Sequence, residues 1–305
     1  MRNFFMALLL TGALSAPAAA QDASPSKPAK PTIVLVHGAF AGSSSWNRVI
    51  THLAHDGFPV VAAAVPLRSL QGDSDYVASL VSNISGPVIL VGHSYGGEVI
   101  SVAAAGRPNV KALVFVSGLA TDIGESAASL GTRFPMGMLS LALAPPVPLT
   151  DGSQDLYILQ ARYWQQFAAD LPEEQGLQMA ATQRPIAQSA LAEPAKAEAW
   201  RRLPSWFVWG QLDRNIPANL HAYLAKRAKA REAVEIPGGS HVVMLSHPDI
   251  VTGTIERAAL ASGNAAADAG PSDVFNATKK ASAAARPHTS ASIPPIRSTA
   301  NGQRT

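Results

Sequence analysis

Three residues spread along the 305-residue chain have the types that nucleophilic acyl transfer requires: Ser94 in "PVILVGHSYGG", Asp213 in "WGQLDRNIP" and His241 in "IPGGSHVVMLSHP". A serine hydroxyl is a weak nucleophile until a base takes its proton, and an imidazole does this best when a carboxylate fixes its tautomer. Gly92-His93-Ser94-Tyr95-Gly96 has the G-x-S-x-G pattern, in which small residues let a strand turn sharply into a helix and lift the serine oxygen above the sheet. His241 is the expected base. His247 precedes Pro248 and reads as a helix-entry residue, His37 closes a strand, and His93 should point away from Ser94. Asp213 is the expected orienting carboxylate, with Asp122 and Glu125 as alternatives. A developing oxyanion needs donors already in place, and each is worth about 3–4 kcal/mol at the transition state. The Tyr95 N–H, at the start of the helix, supplies one. A second comes from Ala39 in "HGAF", with Phe40 as the alternative.

These residues need a scaffold that brings them to one rim. Six short apolar runs read as strands: 32–38, 58–65, 87–92, 110–118, 204–210 and 232–239. Helical patterns separate them, including 74–85 with its apolar positions Tyr76, Val77, Leu80, Val81 and Ile84. Continuous apolar strands alternating with helices imply a mostly parallel sheet covered on both faces, joined by right-handed crossovers. The fold class is therefore α/β, with at least six strands. In open parallel sheets, ligands bind beyond the carboxyl ends of the strands, where Ser94, Asp213 and His241 all fall. The long stretch 119–203 breaks the rhythm and is expected to be a helical cap, because structureless loops of that length are rare. Its aromatic residues Tyr157, Tyr163, Trp164 and Phe167 are expected mostly to hold the cap's own core, with a few lining the cavity beneath.

Both ends of the chain read as separable. Residues 1–20 have one Arg, an apolar core and a final Ala18-Ala19-Ala20, the pattern of a secretory signal peptide cleaved after Ala20. That implies a periplasmic or secreted protein with no stable membrane anchor. From Ser262 to Thr305 the composition is mainly Ala, Ser, Pro and Thr, which cannot bury enough apolar surface to order itself. Setting aside Arg2 and this tail leaves 18 basic and 19 acidic residues, so residues 31–261 carry no basic footprint for nucleic acid. The chain has no cysteine, which excludes disulfides and thiolate chemistry.

The segments "VLVHGAFAGSSSW", "GHSYGG", "GQLDRNIP" and "GGSHVVMLSHP" resemble the α/β-hydrolase superfamily, and the branch of plant methylesterases, hydroxynitrile lyases and related bacterial esterases in particular. The chain order Ser94, Asp213, His241 is the one expected for that fold. The resemblance spans residues 33 to 260 apart from the cap and implies a serine hydrolase of carboxylic esters that needs no metal or organic cofactor. It also implies that hydroxynitrile lyases carry Thr where this chain has Gly38, and Lys where it has Val242. Dehalogenase and epoxide-hydrolase relatives use Asp at the position of Ser94. The expected partner is a small, uncharged, moderately hydrophobic ester. Lactone, amide, thioester or C–C cleavage by the same triad is the alternative, as is a non-catalytic binding protein.

Overall fold

The computed structural model describes residues 30–134 and 138–268. Six parallel strands form the central sheet: β1 (Thr32–Val36), β2 (Val60–Ala63), β3 (Val88–His93), β4 (Val110–Val116), β8 (Ser205–Gly210) and β9 (Glu232–Ile236). They lie in the order β2-β1-β3-β4-β8-β9. In register, Val36 stands opposite Gly92 and His93 opposite Val116, so the ends of β1, β3 and β4 are level. Every residue of β3 and β8 is buried, as the unbroken apolar runs require of strands covered on both faces. The edge strand β9 alternates in exposure, with Glu232 and Val234 half-buried and Ala233 and Glu235 exposed.

Two helix pairs cover the sheet. Helix α1 (Asn47–His55) packs with α11 (Pro248–Asp268), and α2 (Leu70–Ser82) with α3 (Tyr95–Ala103). Helix α2 starts earlier than its apolar pattern suggests, because the Ser69 hydroxyl caps it by accepting from the Gly72 N–H at 3.0 Å. The Glu193 carboxylate accepts from the Leu70 N–H at 2.7 Å, filling another donor of the first turn. Helix α11 runs past Ser262 to Asp268, where the sequence pattern places the start of the tail. Alanines 265–267 are strong helix formers and continue it. The proposed signal peptide and residues 269–305 lie outside the described residues.

The segment between β4 and β8 forms the cap. It holds the five helices α4 (Ala127–Arg133), α5 (Leu139–Ala142), α6 (Gln160–Phe167), α7 (Glu173–Thr182) and α8 (Gln188–Ala192). It also holds a small antiparallel sheet that the helical expectation did not include, built from β5 (Val147–Pro148), β6 (Gln154–Leu156) and β7 (Ile186–Ala187). Helix α9 (Ala218–Arg227) forms the last crossover of the main sheet, between β8 and β9, and α10 (Val243–Ser246) follows β9 before α11. Among the described residues, no helix is long and apolar enough to cross a membrane.

Candidate active site

Ser94 sits between the last residue of β3 and the first of α3, at φ 54° and ψ −125°. A non-glycine residue with that positive φ is strained by about 1–3 kcal/mol and persists only when its surroundings over-determine it. Here they do. The Ser94 N–H is held by the Val116 carbonyl at 3.2 Å, and its own carbonyl accepts from Gly97 at 2.9 Å and Leu119 at 3.0 Å. The turn closes because Gly96 has no side chain: a Cβ there would lie 2.5 Å from the Val36 carbonyl oxygen. The loop after β1 comes equally close, since a Cβ on Gly38 would lie 2.6 Å from Ser94 Cβ and 2.8 Å from the His93 carbonyl oxygen. Both neighbours are fixed, so Gly38→Ala is expected to displace the serine. The expected loss is about 100-fold in kcat/KM for ester hydrolysis, measured alongside a melting curve to show that the protein still folds.

Asp213, in the loop after β8, and His241, in the loop after β9, are brought together. His241 Nδ1 donates to Asp213 Oδ2 at 2.7 Å, and both side chains are fully buried. The other carboxylate oxygen, Oδ1, accepts from the backbone N–H groups of Asn215 at 2.8 Å and Ile216 at 2.9 Å. A second histidine shares Oδ2: His221 Nε2, on α9, donates from 3.2 Å, its ring stacked on Trp209. Burial alone would raise the Asp213 pKa. The field of His241 and the hydrogen bonds from His221 and His241 outweigh it and hold the carboxyl below its usual range. His241 Nε2, the atom that would take a proton from serine, is buried without a hydrogen-bond partner. No Ser94–His241 hydrogen bond is therefore formed in this structure.

Ser94, Tyr95 and Ala39 line one cavity of about 350 Å³. As the first residue of α3, Tyr95 has an N–H with no acceptor inside its own helix. Among the described residues, the Ala39 N–H likewise meets no acceptor. The alternative donor is excluded, because the Phe40 N–H is given to the Arg184 carbonyl at 3.0 Å. The alternative carboxylates are also committed elsewhere. Asp122 pairs with Arg201, and Glu125 with Arg133 at 2.7 Å and Arg227 at 2.8 Å.

A sequence model described as "Alpha/beta hydrolase family" matches residues 33–253. The chain belongs to the alpha/beta hydrolase family. Among its relatives, an alpha-hydroxynitrile lyase of Arabidopsis thaliana is 25% identical over 246 residues, covering 70% of this chain and 92% of that protein. Methylesterase 4 of the same plant is 24% identical over 243 residues, covering 72% and 92%. The crystal structure of polyneuridine aldehyde esterase superposes with a TM-score of 0.66 at 19% identity, covering 75% of this chain and 98% of that one. The sheet, its crossovers and the cap position are therefore those of an alpha/beta hydrolase with esterase- and lyase-type relatives.

Three supports of this hydrolase's site were not assigned from sequence. His221 is the first. The second is His93, which holds the loop of His241: its Nε2 donates to the His241 carbonyl at 3.1 Å, and the two ring centroids are 4.7 Å apart. The third is Asp170, after α6, whose carboxylate accepts from the Ser240 N–H at 2.8 Å and from the Ser240 hydroxyl. Phe167 of α6 lies edge-on to His241 with centroids 5.0 Å apart, and the Tyr163 hydroxyl donates to the Phe40 carbonyl at 2.8 Å. Tyr157, Tyr163, Trp164 and Phe167 all lie away from the cavity wall. Its apolar lining from the cap comes instead from Phe134, Leu139, Leu143 and Leu191.

The remaining sequence candidates do not join the relay. His247 Nδ1 bonds to the Ser246 hydroxyl at 2.9 Å. His37 Nδ1 donates to the Gly38 carbonyl at 2.9 Å, and burial lowers its pKa to about 4 against the weaker opposing effect of that bond. A histidine lowered on folding stays neutral while its unfolded counterpart takes a proton, so stability falls with pH from about 6.5 to 4. For His37 the loss amounts to about 3 kcal/mol. The expected result is a melting temperature that drops between pH 7 and pH 4.5, with the drop flattened in His37→Asn. Equal slopes in the two proteins would show that His37 is not the group responsible.

Proposed function

We propose that this alpha/beta hydrolase is an exported serine esterase acting on uncharged, moderately hydrophobic carboxylic esters through an acyl-enzyme. The observation that carries the reading is the buried 2.7 Å His241–Asp213 pair, together with a strained serine that lines a cavity with Tyr95 and Ala39. Ser94 Oγ attacks the ester carbonyl carbon as His241 Nε2 takes its proton, and the carbonyl oxygen draws the Tyr95 and Ala39 N–H groups. Asp213 keeps the His241 proton on Nδ1 and stabilises the imidazolium that forms. The imidazolium then protonates the leaving alcohol as the C–O bond breaks. Water attacks the acyl-serine by the same route, giving its proton to His241 and releasing the acid.

Among the described residues, none that lines the cavity is charged, which favours a neutral substrate. Val242, directly after His241, is fully buried and apolar, so this position supplies no ammonium to stabilise a departing cyanide. That favours hydrolysis over lyase chemistry. The Ala-ending leader at residues 1–20 supports export. A fluorophosphonate probe is expected to label the purified protein at Ser94 and to leave Ser94→Ala unlabelled. A series of p-nitrophenyl esters of increasing acyl length then defines the substrate size. An unlabelled native protein would turn the reading toward a binding protein, and turnover of lactones, amides or thioesters in preference to esters would replace the substrate class.

A further inference from the structure

Asn215, which lines the cavity, carries a side-chain amide whose orientation is fixed by a chain of hydrogen bonds. Gln166, buried on α6, donates from Nε2 to the Arg214 carbonyl at 2.9 Å. A carbonyl can only accept, so the atom on that side of the glutamine is its nitrogen. The same Nε2 lies 2.7 Å from the side chain of Asn215, which must therefore present its oxygen, Oδ1, to Gln166. Nδ2 is then the free end of the amide, and among the described residues it has no acceptor. Asn215 lines the cavity that holds Ser94. Its backbone is tied to the relay as well, because its N–H donates to Asp213 Oδ1 at 2.8 Å.

The other polar side chains of the lining do not offer the same thing. Thr132 gives its hydroxyl proton to the Ser129 carbonyl at 2.8 Å, and Tyr95 gives its own to Asp73 at 2.9 Å. Ser140 is exposed, and among the described residues its hydroxyl has no partner. An amide donor held at both its oxygen and its backbone loses little freedom on binding, and a fixed donor in an apolar cavity discriminates more sharply than a mobile one.

We propose that Asn215 Nδ2 selects substrates carrying a second oxygen acceptor, such as an ether or carbonyl oxygen, in addition to the scissile ester. The assignment rests on the serine esterase reading above. The test is a series of p-nitrophenyl hexanoates in which an ether oxygen replaces one chain methylene at successive positions, each compared with the all-carbon ester. In the native protein, the ratio of kcat/KM for the ether ester over its alkyl counterpart should peak at one position, by about five- to tenfold. Asn215→Leu should remove the peak. Asn215→Asp keeps an acceptor for Gln166 but turns an acceptor toward the substrate, and should push the ratio below one at that position. Because the readout is a ratio within each protein, a general loss of activity or stability cancels. A series hydrolysed with the same preference in all three proteins overturns the assignment and leaves the esterase reading standing. A native protein that hydrolyses no member takes down both.

Discussion

Ser94→Gly is expected to abolish ester hydrolysis and, at the same time, to raise the melting temperature. Loss of the nucleophile lowers kcat by on the order of 10⁴-fold or more, leaving only what the oxyanion donors and binding contribute. The stability change follows from backbone energy alone. At φ 54° and ψ −125° a serine carries about 1–3 kcal/mol of strain that glycine does not feel. Glycine loses about 0.4–1 kcal/mol through the greater freedom it gives the unfolded chain. The strain is the larger quantity, so the variant should gain about 1 kcal/mol, or roughly 2–4 °C for a domain of this size. Calorimetry of the two proteins decides it. A lower melting temperature in the glycine variant would mean that the turn at Ser94 is relaxed.

Asp213→Asn should cost about 10⁴-fold in kcat and also destabilise the protein by about 2 kcal/mol. The carboxylate accepts four hydrogen bonds: two backbone N–H groups on Oδ1, and His241 and His221 on Oδ2. An amide has one oxygen. If that oxygen stays with the Asn215 and Ile216 N–H groups, its NH₂ meets two imidazole N–H groups, donor against donors. Relief requires both histidines to move their protons to the other ring nitrogen. For His241 that places a proton on Nε2, the atom that must be bare to accept the proton of Ser94. Steady-state kinetics and a thermal melt give both numbers. A variant with unchanged kcat would remove Asp213 from the mechanism, and one with unchanged stability would show that the carboxylate's four bonds are not all made.

The turn at Ser94 and the pairing of Asp213 with His241 were legible because these residues sit where two patterns coincide. Ser94, Asp213 and His241 each follow a run that reads as a strand, and a parallel sheet delivers the ends of such strands to one rim. The glycines around Ser94 mark the sharp turn. His221 has no such marker. It lies in the first turn of α9 in an ordinary amphipathic sequence, and only the tertiary path of the loop from Asp213 to Pro217 turns its ring back onto the carboxylate. Phe40 was open as an oxyanion donor because adjacency to Ala39 says nothing about Arg184, a distant cap residue whose carbonyl takes its N–H. The strands of the cap escaped for a different reason. Two of the three are only two residues long, and Val147–Pro148 contains a proline, so neither alternation nor composition separates them from loop.

Helix α6 and the turn after it reach both halves of the enzyme. They carry Phe167 and Asp170 against the loop of His241, and Gln166 against the amide at the cavity wall. On the serine esterase reading, recombining this cap with a relative's core is therefore expected to alter proton transfer as well as substrate fit. Substitutions that broaden the range of accepted molecules are expected at cap positions off this helix, such as those of α4, α5 and α8, which line the cavity without touching the loop of His241. The substrate repertoire of the lineage should diversify through those three short helices while α6 stays fixed.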